Sequence, residues 1–112
     1  MCPLPGTDHA HGFRRGNRIS YVLSDQPCFV FRACRFHHNV YDGRAKPRDD
    51  REAHQFEVET AVMEWHLVEL AEQRFGTVPR ETGDQPVDVA RRIERMLETD
   101  GRLAGMRERD SA

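Results

Sequence analysis

The apolar positions of this chain change period along its length. "RISYVL" alternates, with Ile19, Tyr21 and Leu23 on one side and Ser20 and Val22 on the other, and "CFVFRACRF" is dense in β-forming residues. Between them "SDQP", Ser24 to Pro27, supplies turn chemistry, so the pattern predicts a weak β-hairpin over about residues 18–36. A lone hairpin is marginal in water and needs a helix to pack on.

After the polar connector "HNVYDGRAKPRDD" the period becomes helical. From about Asp50 to Phe75 there is no Gly or Pro; Asp49 or Asp50 suits the N-terminal cap, and Gly76 stands where a C-terminal cap belongs. A second helix is expected over about residues 86–99: Asp84 or Gln85 as cap, Pro86 in the first turn, and Val89, Ala90, Ile93, Met96 and Leu97 on one stripe. Residues 1–17, rich in Gly, Pro, His and Arg, and residues 102–112 carry no sustained period and read as flexible ends. The predicted organisation is a basic, partly flexible region over 1–48, a helical core over 49–101 and a tail.

On a helical wheel the long helix shows two apolar faces. Phe56, Met63, Leu67 and Leu70 fall on one side, and Val58, Ala61, Trp65 and Val68, with Val62 beside them, on the other. A helix with two such faces is covered twice. The second helix accounts for one face, and the hairpin or a second copy of the chain for the other. Phe56, Val58, Val62, Trp65, Val68 and Leu70 are therefore the candidate packing or partner-interface residues.

Composition narrows the class. Leu, Ile, Val and Phe make up 23 of 112 residues, close to the lower bound for a packed core, and the net charge is only −2. That charge is unevenly spread: residues 1–48 carry eight basic and three acidic side chains, residues 49–112 nine basic and sixteen acidic. A basic half binds polyanions or docks on its own acidic half, and self-complementation is the favoured expectation. No apolar run approaches the ~20 residues of a membrane helix. Three cysteines leave a disulfide framework incomplete, so a reduced, cytoplasmic protein is expected.

Candidate chemistry is sparse. "CFVFRACRFHH" holds Cys28, Cys34, His37 and His38, the residue types of a zinc site, but Cys28 and Cys34 on one strand lie about 20 Å apart, far beyond a shared ion. A tight bend at Cys34-x-x-His37, with further ligands from Cys2, His9, His11 or Cys28, is what zinc would need. His54/Glu57 and His66/Glu69 read as surface pairs at i,i+3. Arg14, Arg15, Arg18, Arg32 and Arg35, interleaved with aromatics, are the candidate nucleic-acid contacts. "RRIERMLETDGRLAG" resembles the opening helix of Lrp/AsnC-type regulators, where a helix ends in a similar Asp-Gly-Arg turn. That resemblance covers one helix without the turn and recognition helix of a DNA-binding unit, so no residue role is carried over.

The sequence thus predicts a mainly helical α+β protein without a catalytic constellation and without a cofactor. Its expected role is a non-enzymatic protein-interaction or regulatory module, self-associating through the long helix or binding another helical protein. Nucleic-acid binding and a structural zinc module are the alternatives.

Overall fold

Short capping signals decide most of the local structure. The computed structural model describes residues 8–111, without the side chains of Asn17 and of residues 107–111. Its elements are β1 (Asp8–His11), a 3₁₀ turn (Arg15–Asn17), α1 (Tyr21–Ser24), a 3₁₀ turn (Pro27–Phe29), β2 (Val30–Ala33), α2 (Arg35–Tyr41), α3 (Asp50–Phe75), α4 (Pro86–Thr99) and α5 (Arg102–Ser111). The expected class is found: a two-stranded antiparallel sheet near the N-terminus, then a long helix and further helices.

The strands are not where the alternation put both of them. β2 falls inside the expected second strand, but its partner is β1, with Asp8 opposite Ala33 and His11 opposite Val30. "RISYVL" does not pair. The Ser20 hydroxyl accepts the Leu23 N–H at 3.3 Å and caps α1, so Ile19 just before the helix and Leu23 within it are both buried while Tyr21 is exposed. Cys34 does the same for α2, its Sγ accepting from the His37 N–H, which ends the second strand earlier than expected. A side chain that satisfies a helix-start N–H outcompetes strand propensity at both places.

The two long helices follow their signals. The Asp49 carboxylate accepts from the Glu52 N–H at 2.8 Å to start α3, which ends at Gly76, a residue at φ 131°. The Asp88 carboxylate accepts from the Gln85 N–H at 2.9 Å ahead of Pro86 to start α4. Arg92 grips Asp84 through two hydrogen bonds of 2.5 and 2.8 Å, which hold the Asp84 carboxyl down to about 2 and tie the α3–α4 loop to α4.

The expected tail is instead α5, because Leu103 and Met106 bury one side of it in the core. That core also holds Phe13, Ile19, Leu23, Cys28 and Phe29 from the first half, with Leu67, Val68, Ala71 and Phe75 of α3 and Val89, Ala90, Ile93 and Leu97 of α4. The described part of the N-terminal region and the helical half therefore share one apolar core. Polar links add to it: the Ser20 N–H donates to Glu94 at 2.5 Å and Arg91 donates to the Arg18 carbonyl at 3.1 Å.

Candidate functional site

The residues that converge lie where the Arg15–Asn17 turn, the end of α2 and the first half of α3 meet. On α3, Phe56, Thr60 and Glu64 follow one another at intervals of four and so form a single ridge. Val40 and Tyr41 close α2 against that ridge, and Arg15, Gly16 and Arg18 rim it. Together they line a cavity of about 410 Å³.

Glu64 sits at its centre. It is one of two buried polar residues among those described, and its side chain keeps only 11% of its exposure. The Tyr41 hydroxyl donates to Glu64 Oε2 at 2.8 Å and accepts from the Phe13 N–H at 3.1 Å. The Arg18 guanidinium lies 3.5 Å from the same hydroxyl and 3.6 Å from Oε2. Burial pushes the Glu64 carboxyl above its ordinary value against the opposing pull of Tyr41 and Arg18. Burial and the neighbouring Glu64 together drive the Tyr41 phenol far upward, so it stays protonated as a donor.

The scaffold holds this arrangement tightly. The Tyr41 ring meets Phe31 edge-on at 5.1 Å, and Phe13 meets Phe29 edge-on at 5.9 Å. Arg18 lies over the Phe13 ring at 5.4 Å. Phe13 itself has φ 60°, a left-handed conformation unusual for an aromatic residue, and its N–H is the one Tyr41 receives.

Two of the residues that line the cavity have unused bonding capacity. The Thr60 hydroxyl is buried and has no hydrogen-bond partner among the described residues. Arg15 lines the cavity without an ion pair among the described residues, its guanidinium resting on Gly43, where a Cβ would come within 2.5 Å of it. Gly43 also has φ 80°, so glycine is doubly suited there.

The residues singled out by sequence are distributed differently. Of the six candidate interface residues, Val68 is fully buried in the core. Phe56 lines the cavity and stacks with His37 at 5.9 Å; Trp65 is half-buried under the Arg80 guanidinium at 4.9 Å; Leu70 packs against the core. Val58 and Val62 alone of the six are largely open, at 52% and 68%. The two expected faces are one broad face. Leu67 and Val68, assigned to opposite stripes, are buried together with Ala71 and Phe75, and Glu64 occupies the middle of that arc.

Among the five candidate nucleic-acid arginines, Arg14 pairs with Asp25, Arg18 with Glu64 and Arg35 with Asp8, while Arg32 is exposed on β2. Of the metal candidates, Cys34 Sγ and His37 Nδ1 do approach to 3.3 Å, across the bend the motif requires. His38 instead lies between Asp8 and Asp42 at 3.2 and 3.0 Å, and Cys28 is buried in the core, its thiol pushed up by burial. Cys2 lies outside the described residues, and no cluster of three metal-ligating side chains occurs among those described. No helix of the described residues is long and apolar enough to cross a membrane.

Comparison of the chain with family models, with curated proteins and with solved structures finds no match, so no family is assigned. The site is read from its geometry.

Tyr41, Thr60 and Glu64 are the residues that sequence reasoning missed as a unit. Glu64 did leave a signal: it falls at the centre of the arc formed by Leu67, Val68, Ala71 and Phe75, where a carboxylate is expected only with a buried partner. Tyr41 lies near the start of a polar connector in sequence and left none.

Proposed function

We propose that this protein is a small, non-enzymatic regulatory module that binds a small molecule in the cavity between the Arg15–Asn17 turn, α2 and α3. The observation that carries this reading is the convergence of a buried carboxylate, a phenol and two guanidiniums on one cavity of about 410 Å³. That volume lies in the range of small-molecule sites, and such sites combine apolar walls with a few fixed polar groups. Val40 and Phe56 supply the walls here. A purely structural Tyr41–Glu64 pair has no use for open space beside it.

The test is thermal unfolding with a panel of small probes of different charge: L-leucine, benzoate, benzamidine, glucose and inorganic phosphate. Ligand that binds only the folded state raises the transition temperature with its concentration. At least one probe is expected to do so, and the shift should vanish in Thr60→Leu, whose bulkier side chain fills part of the cavity. No shift with any probe would count against the reading.

Self-association through α3 is a second reading, favoured by Val58 and Val62, which stand one helical turn apart on the open side of the helix at 52% and 68% exposure. Light scattering over a concentration range would then give a dimer that Val62→Glu converts to monomer. A monomer throughout argues against it.

A further inference from the structure

The cavity holds charges of both signs, and this restricts its ligand. We propose that the ligand is a small zwitterion, an α-amino acid with an apolar side chain: carboxylate toward Arg15, ammonium toward Glu64, side chain against Val40 and Phe56. This rests on the reading of the cavity as a small-molecule site and adds the chemical class.

The cationic side is formed by Arg15 and Arg18. Arg18 is already engaged by Glu64 and the Tyr41 hydroxyl, but Arg15 has no carboxylate partner among the described residues. Its guanidinium lies close against the backbone at Gly43. A planar fork of N–H donors at the rim of an apolar-walled cavity matches the two oxygens of a carboxylate.

The anionic side is Glu64. Tyr41 and Arg18 both address Oε2, and among the described residues no hydrogen bond reaches Oε1. One guanidinium at 3.6 Å compensates this buried carboxylate only in part. Thr60 is one helical turn away on the same ridge and lines the cavity, with its hydroxyl turned away from the open space. An ammonium brings three donors, one of which meets Oε1.

Other ligand classes satisfy one half and offend the other. Phosphate or a plain carboxylic acid would bring negative charge against Glu64. A simple amine would leave Arg15 without an anion and face two guanidiniums. A neutral apolar molecule would strip water from three charged groups without replacing its hydrogen bonds. The zwitterion matches both Arg15 and Glu64 Oε1.

Isothermal titration calorimetry of the full chain near neutral pH tests the class. The probes are L-leucine, isoamylamine (the same molecule without its carboxylate), 4-methylpentanoate (without its ammonium) and inorganic phosphate. L-Leucine is expected to bind about tenfold or more tightly than either half-molecule. Arg15→Gln should weaken L-leucine to the level of isoamylamine while leaving isoamylamine itself unchanged. Arg15 is exposed and makes no ion pair among the described residues, so the variant should fold like the parent, which circular dichroism checks. Should 4-methylpentanoate or phosphate bind as well as L-leucine, the zwitterion is overturned and the cavity remains as an anion site. Equal binding of isoamylamine overturns it in favour of a cation site. No heat from any of the four overturns the class, and the cavity reading then falls only if the thermal panel is also silent.

Discussion

Tyr41 at the end of α2 and Glu64 in the middle of α3 meet across a 2.8 Å hydrogen bond in which the phenol donates and the carboxylate accepts. The same hydroxyl receives the N–H of Phe13, so one side chain joins the N-terminal loop, α2 and α3. No apolar contact specifies position so narrowly.

Tyr41→Phe leaves both the Phe13 N–H and Glu64 Oε2 short of a partner. Stability is expected to fall by about 1–3 kcal/mol, the usual cost of stranding buried polar groups. Equilibrium urea unfolding of the two proteins measures it. A loss below about 0.5 kcal/mol would mean that water replaces the phenol freely.

Glu64 makes stability depend on pH in a defined direction. Its carboxyl is raised above the ordinary 4.5 by burial, so the folded chain holds that proton more tightly than the unfolded chain does. Its contribution is full below the ordinary value and is lost as pH rises through the raised one. Urea midpoints taken from about pH 4 to about pH 8 should therefore fall more steeply in the parent than in Glu64→Gln. A steeper fall in the variant would show that Arg18 holds the carboxylate charged.

Thr60→Val keeps the side chain's shape and removes the unpartnered hydroxyl. The unliganded protein should gain up to about 1 kcal/mol, because a buried group without a partner no longer has to be desolvated. L-Leucine should bind it about as it binds the parent, because the hydroxyl does not face the cavity. Loss of stability in unfolding experiments would point to a hydrogen bond within the fold.

Gly12 lies where the ladder runs past β1 to the Phe29 carbonyl, through a hydrogen bond of 2.7 Å. A Cβ there would come within 2.6 Å of Leu67 Cδ1 and 3.1 Å of the Phe29 oxygen. Gly12→Ala is expected to cost about 1–3 kcal/mol through overpacking, read from thermal or urea unfolding. A neutral substitution would mean that Leu67 has room to turn aside.

The sequence was most legible where structure is decided within one turn of chain. Asp49 and Gly76 bracket α3 and Gln85 and Pro86 open α4, all as their local chemistry predicts. β1 was illegible because "DHAH" has no strand propensity of its own; it is a strand because β2, some twenty residues on, offers it a ladder that buries Ala10 and Ala33. α1 was misread as a strand because Ile19, Tyr21 and Leu23 alternate, while the Ser20 cap turns the chain into a helix from Tyr21 on and leaves Ile19 ahead of it.

The candidate site was hidden for a related reason. A carboxylate splits an apolar arc on a helical wheel, so Leu67 and Val68 looked like members of opposite faces. The partner that makes this carboxylate tolerable, Tyr41, lies on a separate short helix. The charge imbalance between the two halves of the chain proved a limited guide too. Arg14 and Arg35 pair with acidic residues of their own half, and among the described residues of that half only Arg18 and Arg48 reach carboxylates of the other.

The most direct test of the binding site is a ¹⁵N-edited NMR titration of the full chain with L-leucine, following the side-chain Nε–H signals of Arg15 and Arg18, the backbone amide of Phe13 and, as a control, that of Val62. The account predicts that the first three move together along one saturating curve while Val62 stays still. Saturable shifts confined to other parts of the molecule, or none at millimolar ligand, would contradict it.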